Sequence, residues 1–115
     1  MIRIQRVYDK QPDDDSLRFL VDRIWPRGIK KSDLKLDGWL KDIAPTQNLR
    51  NWFKHDPAKW NEFKQRYTAE LNANPDAWRP LLTQAKTKNI TLLYSARDKE
   101  HNNALVLMEF LKAKL

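Results

Sequence analysis

ITLLYSARDKEHN, Ile90 to Asn102, begins as a run of branched and aromatic residues and breaks abruptly into charge. A short, continuously apolar run of this kind reads as a strand buried on both faces, as parallel sheets require. The same shape occurs earlier in LRFLVDRIWPRG, Leu17 to Gly28. There Leu17, Phe19 and Val21 supply one face and Leu20 and Ile24 the other, so a central strand is expected from Leu17 to Trp25. The long polar and helical stretch between the two runs is ample for a parallel, right-handed return. Both strands would then end at one sheet edge. That brings Asp22, Arg23, Trp25 and Arg27 beside Ser95, Arg97, Asp98, His101 and Asn102, at the carboxyl ends of the strands where open α/β sheets hold their ligands.

Outward from these strands, Ile2 to Tyr8 alternates branched apolar and polar residues and reads as an edge strand. The connection Asp9 to Ser16 is polar, with Pro12 and the aspartates Asp13, Asp14 and Asp15. Parallel crossovers usually take about a dozen residues or more. The short connection therefore favours a hairpin while leaving an extended return open. Ser32 is an N-cap candidate for a helix with the stripe Leu36, Trp39, Leu40 and Ile43, ended by Pro45. Thr46 caps a short turn carrying Leu49, Trp52 and Phe53. Asp56-Pro57 opens a helix through Trp60, Phe63, Tyr67 and Leu71, and Asn74-Pro75 opens another through Trp78, Leu81, Leu82 and Ala85. Asn89 is the candidate left-handed cap of the latter. From about Glu100 a packed helix runs through Leu105, Met108 and Leu111. The expected fold is a small single α/β domain over residues 1–115, a short, mostly parallel sheet covered by several helices.

With 115 residues the chain suits one core, and its 41% hydrophobic and 32% charged content is that of an ordinary globular domain. Its five tryptophans supply large apolar area; they fall mainly on helical stripes, Trp25 excepted. The absence of cysteine excludes disulfides, thiolate zinc sites and thiol nucleophiles. No apolar run reaches membrane-spanning length, and Arg3 and Arg6 interrupt the N-terminal one, so a cytoplasmic protein without a membrane partner is expected. A net charge of +7 favours an anionic partner, although most lysines and arginines are scattered as on solvated helix faces. Gly28 and Gly38 are the only glycines, so neither a phosphate-binding loop nor a dinucleotide fingerprint is present. No cofactor is expected, and His55 and His101 with scattered carboxylates lack metal-ligand spacing.

Within the strand-end cluster, Arg23, Arg27 and Arg97 are candidates for an anion clamp, because guanidinium groups grip phosphate or carboxylate with two parallel hydrogen bonds. Trp25, Ser95 and Asn102 complete the candidate ligand-binding set. Asp22, Asp98 and His101 are the candidate catalytic groups, His101 as general acid or base oriented by Asp98 three residues earlier. The bland alternatives are that Asp22 pairs with an arginine to cement the sheet edge, and that Ser95 or Asp98 merely caps a helix. Ser95 lacks the Gly-x-Ser-x-Gly context of a hydrolase elbow. Further pocket residues are expected from the helical middle, Trp52 and His55 among them.

LVDRIWPRG at Leu20 to Gly28, Lys30 through Trp39, APTQNLRNWFKHDPAKWNEFKQRY at Ala44 to Tyr67, and TLLYSARDKEHNNA at Thr91 to Ala104 together resemble the YeaO-like branch of the bacterial domain of unknown function 488 family. The resemblance covers essentially the whole chain and implies a small α/β domain with a mostly parallel sheet. It implies no established activity. More distant members carry a Cys-His-Arg cluster where this chain has Asn102, Asn103 and Ala104, so no catalytic role carries over. Some members bear the label of transcriptional regulator, but no helix-turn-helix pair is evident here. Three functions therefore stand open: a protein that binds or acts on a small anionic ligand, a nucleic-acid-binding module using the basic surface, and an interaction protein without chemistry.

Overall fold

The computed structural model describes residues 1–115. Its four strands are β1 (Ile2–Arg6), β2 (Leu17–Leu20), β3 (Gly38–Trp39) and β4 (Ile90–Tyr94). They form one sheet in the order β1-β4-β2-β3, and every pairing is parallel. The central strand β4 is buried along its whole length, which is why ITLLY carries no alternating polar residue. The helices are α1 (Gln47–Phe53), α2 (Trp60–Ala73), α3 (Pro75–Ala85) and α4 (Asn103–Lys112).

All four helices cover the same face of the sheet. Phe53, Phe63, Tyr67, Trp78, Leu81 and Leu107 close over Ile2, Phe19, Ile90 and Leu92 in one core. Inside it, the Tyr67 hydroxyl donates to the Ile43 carbonyl at 2.6 Å, and the Trp78 indole donates to the Leu71 carbonyl at 2.7 Å. Burial pushes the Tyr67 hydroxyl far above its usual titration range, so it remains a donor. The opposite face is covered by loops. Leu34 packs on Leu20, Leu93 and Val7, with Trp25, Ile29, Leu36 and Trp39 around them. No helix is long and apolar enough to cross a membrane.

The favoured hairpin between the first two strands does not form. β4 lies between β1 and β2 and gives each a parallel ladder, so the chain returns by the extended route through Val7 to Ser16. Side chains hold that route under the sheet. Arg18, only 3% exposed, reaches Gln11 at 3.2 Å, the Pro12 carbonyl, and the Asp14 carboxylate at 3.1 Å. Asp14 also receives Arg3 and the amide and hydroxyl of Ser16, and the Ser16 hydroxyl lies 2.8 Å from that of Thr91. These contacts, those of Ser16 first, hold the Asp14 carboxyl below its ordinary range. The steps β1 to β2 and β2 to β3 both cross on the loop face, and the return from β3 to β4 crosses on the helical face. A single hand for all three crossovers demands that division.

The helix expected from Ser32 to Ile43 is replaced by a 3₁₀ turn at Lys31–Asp33, the edge strand β3, and a second 3₁₀ turn at Lys41–Ile43. A helix there would leave the outer edge of β2 unpaired. Instead the Asp37 amide donates to the Arg18 carbonyl at 2.8 Å and the Leu40 amide to the Leu20 carbonyl at 2.8 Å. Gly38 suits this edge, since a Cβ there would lie 3.2 Å from the Phe19 ring. β2 correspondingly ends at Leu20 rather than running to Trp25. Other boundaries also move: β1 ends at Arg6 rather than Tyr8, and Asp56-Pro57 opens a 3₁₀ turn, Pro57–Lys59, ahead of α2. Positive φ occurs at Gly28, Lys54 and His55 but not at Asn89, whose carbonyl instead accepts the Leu17 amide at 2.9 Å. The last helix begins at Asn103 rather than near Glu100, because the Asn102 side chain caps it by accepting the Leu105 amide.

Candidate functional site

The carboxyl ends of the strands open onto a cavity of about 370 Å³. Tyr8 comes to it from beyond β1, Asp22 to Arg27 from beyond β2, Ala44 and Pro45 from beyond β3, and Ser95 and Ala96 from beyond β4. Arg50, Asn51 and Phe53 of α1, with His55, Phe63, Asn102 and Asn103, complete its walls.

Asp22 ties three elements together. One carboxylate oxygen accepts the Ser95 amide at 2.9 Å and the Ser95 hydroxyl at 2.7 Å. The other accepts the Asn103 side-chain amide at 3.1 Å, and that amide also donates to the Val21 carbonyl at 3.0 Å. The ends of β2 and β4 and the start of α4 are thereby clamped, and Asp22 is the only carboxylate among the lining residues. Arg23 spends part of its fork on the carbonyls of Pro45 at 3.3 Å and Ala44 at 3.2 Å. Arg27 is exposed; its backbone carbonyl accepts the Tyr8 hydroxyl at 2.7 Å. Trp25 is fixed by its indole bond to the Ile29 carbonyl at 2.6 Å and meets the Trp39 ring edge-on at 5.3 Å. The Trp39 indole in turn donates to the Asp22 carbonyl at 2.7 Å.

Of the residues singled out in the sequence, Asp22, Arg23, Trp25, Arg27, Ser95 and Asn102 line the cavity together, and so does His55. Arg97, Asp98 and His101 do not line it. They lie on the turn between β4 and α4, where Arg97 is exposed. The Asp98 carboxylate accepts the amides of Glu100 and His101 and sits 2.7 Å from Nδ1 of His101. The amide of Glu100, ahead of His101, holds the Asp98 carboxyl below its ordinary range. The His101 ring stands edge-on to Trp60 at 5.2 Å. Trp52 is also elsewhere, under the guanidinium of Arg66 at 4.3 Å. No group of three histidine or carboxylate side chains is gathered as metal ligands would be.

Tyr8, Arg50, Asn51 and Asn103 were not among the sequence candidates. Tyr8 was hidden by the hairpin expectation, since only a parallel β1 ends at the same edge as β4. Arg50 had a readable signal: it lies three residues before Phe53 in the helix capped by Thr46, and both residues line the cavity.

A family model described as the inactive DUF488-N3 subclade matches residues 1–115. The chain belongs to this subclade. It is 44% identical over 112 residues to YeaO of Escherichia coli K12, an uncharacterised protein, with 97% of each chain covered. It is 37% identical over 113 residues to the uncharacterised protein Rv3073c of Mycobacterium tuberculosis H37Rv, covering 98% of this chain and 95% of that one. No solved structure matches. In this DUF488-N3 member, Asn102 and Asn103 have defined structural work at the cavity wall. Asn102 caps α4, and Asn103 holds Asp22.

Proposed function

We propose that this protein binds a small anionic ligand in the strand-end cavity without transforming it. One observation carries the reading: Arg23, Arg27 and Arg50 line a cavity whose single carboxylate, Asp22, already accepts bonds on both oxygens from Ser95 and Asn103. The guanidinium groups of Arg27 and Arg50 make no hydrogen bond or ion pair within the protein, so their forks are available to a phosphate or carboxylate. Asp22 is occupied as a clamp, and Asp98 with His101 stands outside the cavity. Together with membership of a subclade described as inactive, this favours binding over catalysis. The test is thermal unfolding with inorganic phosphate at low ionic strength. At a hundred times its dissociation constant a ligand adds about 2.7 kcal/mol of stability. Phosphate should raise the wild-type midpoint, and Arg27→Ala with Arg50→Ala should abolish the response. A full response in that double variant would sink the proposal.

A further inference from the structure

We infer that the ligand of this cavity is an amphiphilic anion, a phosphate or carboxylate carried on a flat apolar body such as a phenyl ring. This rests on the anion-binding reading above and narrows it. Four large apolar side chains are strongly exposed in the chain. Two are the first and last residues, Met1 and Leu115; the others, Tyr8 at 43% and Ile24 at 60%, both line this cavity.

Their exposure is imposed by the local structure. Ile24 lies between Arg23, bonded to the carbonyls of Ala44 and Pro45, and Trp25, bonded to the Ile29 carbonyl. The neighbouring apolar residues of that loop are packed away on Leu20 and Leu93, which leaves Ile24 alone at the lip. Tyr8 is held by its bond to the Arg27 carbonyl, with the Arg6 guanidinium 4.7 Å from its ring centre. Deeper in, Phe53 and Phe63 stack at 4.2 Å, and the His55 ring lies 6.2 Å from Phe53. His55 comes to the cavity through two successive non-glycine residues at positive φ, Lys54 at 48° and His55 at 55°. Backbone of that kind is disfavoured and persists where surrounding structure enforces it. A bare oxyanion would engage the arginines and leave the exposed side chains of Tyr8, Ile24 and His55 wet. An anion on a ring satisfies both, and the cavity volume is at the small end for small-molecule sites.

Isothermal titration of the full chain with inorganic phosphate, phenyl phosphate and benzoate tests this. Covering roughly 55 Å² of apolar surface at about 25 cal/mol per Å² is worth a factor of about ten, so phenyl phosphate should bind about tenfold more tightly than phosphate. Ile24→Ser should narrow that ratio by about threefold, and its melting temperature should match wild type because the side chain is mostly exposed. Equal affinity for phosphate and phenyl phosphate, or an unchanged ratio in Ile24→Ser, overturns the amphiphile inference and leaves the anion pocket standing. Failure of all three probes to bind wild type overturns the anion pocket, and this inference falls with it.

Discussion

Replacing Asp22 by alanine should cost the protein about 3 kcal/mol of stability. The carboxylate accepts the Ser95 amide, the Ser95 hydroxyl and the Asn103 side chain at 2.9, 2.7 and 3.1 Å, and so ties the end of β2 to both the end of β4 and the start of α4. A hydrogen bond to a charged partner contributes about 1.5–3 kcal/mol when buried. Asp22 is half-buried, so water can replace part of each bond, and Asn103 retains the Val21 carbonyl. About 1 kcal/mol for each bond is therefore the appropriate scale. With an unfolding entropy of about 2.1 cal/mol/K per residue, that loss lowers the melting temperature by about 12 °C. Asp22→Asn should lose roughly half as much, because one amide oxygen can still receive the Ser95 pair while its NH₂ faces the Asn103 donor. Calorimetric or circular-dichroism melts of both variants at neutral pH suffice. If Asp22→Ala melted within about 2 °C of wild type, the clamp would be illusory. The carboxylate would then be free to oppose an anion in the cavity, and the case for a cationic pocket would weaken with it.

Two further outcomes follow from the geometry. Asp14 has its carboxyl lowered by Ser16 and by the guanidinium groups of Arg3 and Arg18, so its contribution is present above the ordinary aspartate value, near pH 4, and is lost as pH falls through the folded value. Asp14→Asn should therefore unfold at lower urea than wild type at pH 7, with the gap closing towards pH 3; a constant gap would contradict the linkage. Lys54 caps α1 in a left-handed conformation at φ 48°, where glycine carries no steric penalty, so Lys54→Gly should stabilise by about 0.5–1 kcal/mol. A lowered urea midpoint would show that the Lys54 side chain matters more than its backbone.

The strand-end cluster was legible because β2 and β4 carry their apolar runs right up to the charges that follow. Asp22 and Ser95, far apart in the chain, meet for that reason. The middle of the chain was less so. Leu36, Trp39, Leu40 and Ile43 fit a helical period, but the vacant edge of β2 exerts a stronger claim on Gly38 and Trp39 than local periodicity does. The parallel course of β1 could not be read from Asp9 to Ser16, because it depends on β4 arriving between β1 and β2 from the far end of the sequence. Arg97, Asp98 and His101 show the limit of adjacency as a guide. The chain turns between Ala96 and Asn102, returning only Asn102 and Asn103 to the cavity.

The segment from Val21 to Asp37 has two duties at once. Asp22 to Arg27 make one wall of the cavity, while Trp25, Ile29, Leu34 and Leu36 roof the apolar surface of Leu20 and Leu93. A hinged gate needs a segment that can swing out at little cost, and this one would have to wet a small core each time it moved. The pocket wall should therefore hold the same position with and without ligand, and ligand selection here should proceed by fit to a standing shape rather than by closure.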